Sequence, residues 1–177
     1  SEKDDVLLNA SYLQSKNDFK FKNDNGTQFN PTDDRKEKRN NDGVKHLTLL
    51  TSWKHRISEK VDTELRMDAL HRDKEIPGVT NSPDVKTDLD TKQYNFLGQF
   101  NVHDVWSKNT NLNVKLFAAY KSEVFDDSLA QIGFFDQHTK SITKKIGTQL
   151  YTEINREQSQ WKLLTAVSRE TYDQDSR

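Results

Sequence analysis

The sequence predicts an all-β fold, an antiparallel up-and-down meander of about seven long strands. Three observations predict it. Apolar and polar residues alternate over stretches of ten or more residues, the connections between these stretches are alternately long and short, and all three tryptophans stand beside the short ones. Side chains repeat every two residues in a strand, so such alternation gives each strand one oily face and one wet face.

Composition narrows the options. The chain has 177 residues, a formal charge of −1, 31% charged and 32% hydrophobic residues, and a mean hydropathy of −1.00. That length suggests one domain, but a single-core globule usually holds more apolar residues. The balanced charge gives no electrostatic case for nucleic acid or an anionic surface. Disorder is opposed by nine Phe, five Tyr and three Trp set in alternating rows. With no cysteine, thiolate metal sites and disulfides are excluded. No run approaches the length of a membrane helix, yet barrel strands hide their apolar residues by alternation. The chain begins at Ser1, shows no signal peptide and reads as a mature piece or a fragment.

Taken in order, residues 6–21 form the first strand candidate, with Val6, Leu8, Ala10 and Tyr12 in phase. Residues 22–43 read as a long exposed loop holding Asp24-Asn25-Gly26, Pro31, Asp33-Asp34 and a basic cluster of Lys36, Lys38 and Arg39. Asn-Gly is a strong turn signal because both residues tolerate positive φ. Residues 44–57 place Leu47, Leu49, Thr51 and Trp53 on one face, with Leu50 on the wrong side. After a short turn at 58–60, residues 61–72 alternate Val61, Thr63, Leu65, Met67 and Ala69 against Asp62, Glu64, Arg66 and Asp68. Val61, Leu65 and Ala69 also fit a helical stripe, and the neighbouring strands decide for strand.

A second long loop, 73–90, carries Pro77-Gly78 and Pro83 as breakers. Residues 93–120 form a hairpin turning at 104–110. Tyr94, Phe96, Gly98, Phe100 and Val102 make one apolar row, and Leu112, Val114, Leu116, Ala118 and Tyr120 the next. A third long loop spans 122–140. Two strands close the chain, 142–156 and 161–172, joined by a short turn at 157–160.

The four cleanest rows supply nineteen positions without one Asp, Glu, Lys or Arg. Lipid enforces such exclusion, since a Lys or Arg facing it at mid-depth costs about 2–4 kcal/mol. A protein core would exclude charge too. In a meander the long loops (22–43, 73–90, 122–140) all fall at one end and the short turns (58–60, 104–110, 157–160) at the other, whereas Greek-key sandwiches mix them. Trp53, Trp106 and Trp161 lie beside the short turns, as in an aromatic girdle at a membrane interface. These features predict a partial transmembrane β-barrel, with outer-membrane lipid against the oily face, short periplasmic turns and long outer loops. The alternative is a soluble all-β ligand-binding module, for glycans for example, whose oily faces meet in a sandwich.

The residues Asn17-Asp18-Phe19, Asn23-Asp24-Asn25-Gly26-Thr27, Asp33-Asp34-Arg35 and Arg39-Asn40-Asn41 resemble the barrel region of TonB-dependent outer-membrane receptors. Glu75-Ile76-Pro77-Gly78 is similar to that family's Ile-Pro-Gly turn. Phe125-Asp126-Asp127 with Ile132-Gly133, and Arg169-Glu170-Thr171-Tyr172, are similar to later barrel segments. The resemblance implies an internal piece, about a third of a larger barrel, without the N-terminal plug or the TonB-contacting segment. It further implies a part of a receptor for energised uptake of a scarce nutrient, an iron–siderophore, cobalamin or similar, at the cell outer membrane. The implied partners are lipid, the small-molecule ligand and TonB acting through the missing plug, with no nucleic acid.

Candidate sites are few. Asp24, Asp33 and Asp34 offer hard oxygen ligands of the kind calcium takes, but without EF-hand spacing a solvated loop is the simpler reading. His46, His55, His71, His103 and His138 lack metal-ligand spacing. No catalytic motif occurs, and His138 near Ser141 reads as loop composition. No catalytic residue and no cofactor is assigned, and the chain reads as a transporter part rather than an enzyme. An outer-membrane enzyme is a third option that would need a Ser/His or carboxylate constellation. Phe134 and Phe135 in the third loop are candidates for touching ligand or a neighbouring loop.

Overall fold

The computed structural model describes residues 3–24, 29–78 and 84–177, which form nine strands and, among the described residues, no helix. Seven strands make one antiparallel sheet: β1 (Asp4–Ser15), β4 (Val44–Ser58), β5 (Val61–Glu75), β6 (Asp88–Val102), β7 (Thr110–Asp127), β8 (Gln137–Arg156) and β9 (Ser159–Ser176), neighbours in that order. β2 (Lys20–Asn23) and β3 (Arg35–Lys38) form a separate ribbon inserted between β1 and β4. β1 and β9 do not pair, so the sheet is open. The rival helical stripe in residues 61–72 loses to pairing: β5 is bonded along its length to β4 and to β6.

The strands run past the apolar rows, which corrects several boundaries. Alternation marks only the part of a strand whose two faces differ, whereas backbone pairing continues where both faces are wet. The second and third long connections therefore shrink to residues 76–87 and 128–136. The short turns are 59–60, 103–109 and 157–158.

The first strand, expected through Phe21, ends at Ser15. Asn17 takes a positive φ of 46°, its side-chain amide donates to the Asp42 carbonyl (2.8 Å), and Ser15 Oγ donates to its carbonyl oxygen (2.7 Å). That closes the neck of the excursion and re-aims the chain into β2. The expected loop 22–43 thus carries a ribbon. Asn25-Gly26 and Pro83 lie outside the described residues.

Registry joins the apolar rows into one band. Val6 faces Trp53, which faces Leu65; Met67 faces Phe96, which faces Ala118, then Ile146. On this face the alternating rows end toward the long connections at Tyr12, Leu47, Ala69, Tyr94, Tyr120, Ile146 and Val167, with Val124 on β7 and Ile142 on β8 standing apart beyond them. Toward the short turns the rows end at Val6, Trp53, Val61, Val102, Leu112, Ile154 and Trp161. The band is slanted. Followed along hydrogen-bonded partners from β1 to β9, both edges drop by six residues over the six strand-to-strand steps, so the band is as high on β9 as on β1.

Nothing among the described residues covers the band. Each strand contacts only its sheet neighbours, and Leu47, Met67, Phe96, Leu116 and Leu150 stand exposed, with Leu65 half-buried. The single buried apolar residue among those described is Val85, 6% exposed, which sits in a loop. A soluble domain of this length removes about two-thirds of its surface from water around a core, and no such core is formed by the described residues.

Candidate functional site: the polar face and its long connections

The opposite face of the sheet is a hydrogen-bonded polar floor. Asn101 Nδ2 donates to Asp62 (2.6 Å), and His103 meets the other oxygen of Asp62 (3.0 Å). Asn113 donates to Asn101, Asn95 Nδ2 to Asp68 (2.6 Å), and Ser52 Oγ to Glu64 (3.2 Å). A hollow of about 470 Å³ near the short turns is lined there by Asn101, Asn111, Asn113, Lys115, Gln149 and Tyr151. Amides and carboxylates bonded to one another in a row offer a wet, uncommitted surface rather than a reactive centre.

At the long-connection end the loops are stitched together. Asp127, the last residue of β7 and well outside the apolar band, is 2% exposed. It accepts from the backbone N–H groups of Gln131 (2.7 Å), Ile132 (3.0 Å) and Gly133 (2.9 Å) and from Thr87 Oγ1 (2.9 Å). Burial disfavours its charge, but those donors win and hold its carboxyl below the usual range. Gln131 in turn accepts from Lys86 N (2.6 Å) and donates to the Asp84 carbonyl (2.8 Å). Asn41 Nδ2 donates to the carbonyls of Ile76 (2.7 Å) and Thr87 (2.9 Å), and Gly43 N donates to Glu75 (2.9 Å). The first connection is thereby tied to the second, and the second to the third.

This stitching presents Phe134, 99% exposed, and Phe135, 76% exposed, on a loop whose base is fixed. Neither ring packs on another ring among the described residues. Leu129, in the same connection, is exposed as well. The arrangement is one that a binding loop needs, with a rigid root and a bare apolar tip.

Of the acidic candidates, Asp34 is paired with Lys22 (2.5 Å). Among the described residues no group of three His, Asp or Glu side chains is placed to hold a metal ion, so the fold does not gather Asp24, Asp33 and Asp34 into one. Four of the five histidines are instead partners of aspartates on neighbouring segments: His55 with Asp4, His71 with Asp90, His103, at the start of a turn, with Asp62, and His138 with Asp126. His138 and Ser141 alternate onto opposite faces of β8, which separates them as a dyad.

The tryptophans stand at the short-turn edge of the oily face or beyond it. Trp53 ends its row, donates Nε1 to Asp4 (3.0 Å) and stacks on His55 (ring centroids 5.4 Å). Trp161 ends the last row, opposite Ile154, and Trp106 is exposed in the 103–109 turn. Sequence reasoning missed their counterpart. Tyr12, Tyr94 and Tyr120 end their rows at the other edge, a signal present in the sequence at the close of each alternating run. It also missed that the ribbon lysines Lys20, Lys22, Lys36 and Lys38 share one exposed face, which becomes visible only from the β2–β3 register.

The chain matches no family model, no curated protein and no solved structure.

Proposed function

We propose that this chain is a segment of a transmembrane β-barrel, the lipid-facing wall of an outer-membrane receptor of the TonB-dependent kind. The observation that carries the reading is the slanted, uncovered apolar band. Its rows of seven to nine residues approach the roughly 9–11 residues a tilted strand uses to cross a bilayer. A slope of one residue per strand, with about 3.4 Å per residue and about 4.8 Å between strands, corresponds to a tilt of about 35°. That value falls within the roughly 35–45° of membrane barrels. Tryptophans at one edge and tyrosines at the other suit two water interfaces. A sandwich would need a covering sheet, and the described residues supply none.

On this reading the polar floor lines the lumen, and the stitched loops face outward. Phe134 and Phe135 are the first contacts for a ligand, an iron–siderophore, cobalamin or a comparable scarce nutrient. Energy for import arrives from TonB through a plug carried elsewhere in the parent protein. The segment conducts and captures rather than catalyses.

Two measurements test the barrel. Expressed with its flanking sequence, the protein should require detergent and migrate differently on gels with and without boiling. Solubility without detergent, with identical migration in both lanes, would contradict it.

A further inference from the structure

The lysines on the β2–β3 ribbon stand opposite one another. Lys20 faces Lys38 and Lys22 faces Lys36, and all four are exposed. Like charges directly opposite weaken a strand pair, and an isolated two-stranded ribbon has little stability to lose. Lysines at a sheet edge deter indiscriminate pairing. The same charges make the edge selective, because a strand that brings carboxylates meets attraction in place of repulsion.

Two of the lysines already hold carboxylates from the flanking chain. Lys22 Nζ meets Asp34 (2.5 Å) and Lys38 Nζ meets Asp18 (3.0 Å). Lys20 and Lys36, diagonal to each other, hold none among the described residues.

The backbone is open at the same positions. Arg39 N donates to the Phe19 carbonyl (2.9 Å). Hydrogen-bonded and non-hydrogen-bonded pairs alternate along an antiparallel ladder, so Lys20 with Lys38 and Lys22 with Lys36 are the non-hydrogen-bonded ones. The N–H and C=O groups of Lys20 and Lys22 therefore point out of β2, away from β3. No described strand pairs with that edge. On the other face of β2, Phe21 lies between these lysines, with Phe19 beside it (ring centroids 6.3 Å) and the Arg39 guanidinium over its ring (5.8 Å). The β3 edge offers Glu37 at the equivalent place, already bonded by Asn23 (3.0 Å). β2 is the edge that suits an incoming strand with acid on one face and an apolar side chain on the other.

We propose that the outer edge of β2 binds an extended acidic segment of a partner protein as a third ribbon strand, with Asp or Glu at every second residue. Alternate side chains of a strand repeat about every 7 Å, so carboxylates two residues apart come to lie against Lys20 and Lys22. The residue between them falls on the face of Phe21 and Phe19. Main-chain hydrogen bonds supply affinity, and the alternating side-chain contacts supply selectivity. This surface is separate from the apolar band, and its test does not depend on what covers that band.

The experiment follows the fluorescence anisotropy of a labelled peptide alternating aspartate with valine, added to the full-length protein. The peptide should bind and be released as salt rises. K20Q and K22Q should each weaken binding about three- to fivefold, the scale of an exposed ion pair. K108Q, in the 103–109 turn, should leave it unchanged. K20E combined with K22E should lose this peptide and take up one alternating lysine with valine, an exchange that a misfolded ribbon could not produce. N-methylation of the peptide backbone should abolish binding. Equal binding of the methylated peptide, or of one with its aspartates in a single block, would reduce the face to plain ion exchange and overturn the proposal. Absence of binding by the unmodified protein would overturn it as well.

Discussion

Tyr94 on β6 and Tyr120 on β7 face each other directly across the sheet, ring centroids 6.1 Å apart, where the unbroken alternating rows of both strands end. One step farther along β6 the same face carries Lys92. The transition from ring to charge within two residues marks the boundary on which the barrel reading depends.

On the barrel reading, charge on the band is costly and charge on the other face cheap. Leu116→Lys should destabilise the folded state in lipid by about 2–4 kcal/mol. Leu97→Lys, on the polar face opposite Phe117, should fold almost as well as the unmodified chain. Urea titration of the refolded protein in vesicles distinguishes them; equal losses would count against a lipid-facing band.

The third connection should depend on one carboxylate. Asp127→Asn keeps the shape of the side chain but replaces one acceptor oxygen with a donor, facing N–H groups that already donate. Limited proteolysis should then cut within residues 128–136, where the unmodified chain resists.

Acid should reproduce that release. The folded carboxyl of Asp127 titrates below its ordinary value of 3.8, so its contribution is fully present above that pH and is lost as pH falls through the depressed value. Proteolysis of residues 128–136 by an acid-active protease should rise only below about pH 3.8. Release near neutrality would contradict the assignment.

Gly147 is fixed by its neighbours. A Cβ there would meet the ring of Phe117 directly opposite, the Val167 carbonyl at 2.7 Å and Ser168 Cβ at 2.8 Å. Gly147→Val should therefore weaken β8–β9 pairing, costing about 1–3 kcal/mol. Amide hydrogen exchange along β9 should report it; unchanged protection would refute the packing.

The seven long strands were legible because one face of each carries apolar residues in strict alternation, as in Tyr94 to Val102. Their full lengths were not, since Asp73 to Glu75 pairs without any apolar residue to reveal it, and in Glu123 to Asp127 the apolar residues Val124 and Phe125 are adjacent and show no alternation. The β2–β3 ribbon was invisible for the same reason: Lys20–Asn23 and Arg35–Lys38 hold a single apolar residue, Phe21. Asp127 could be seen as part of an acidic turn, but its role needs Thr87, brought to it by the β6–β7 register. Phe134 and Phe135 were legible as bare aromatics; the rigid root beneath them was not. The slant of the band lies in no single strand and emerges only when the registers are combined.

The most direct measurement is nitroxide accessibility along β6. The chain has no cysteine, so one can be introduced at each position from Tyr94 to Gln99 and labelled cleanly. In vesicles, labels at Tyr94, Phe96 and Gly98 should be relaxed by oxygen dissolved in lipid, and labels at Asn95, Leu97 and Gln99 by a water-soluble nickel complex. Shielding of the first set from both relaxants would mean that protein, not lipid, covers the band.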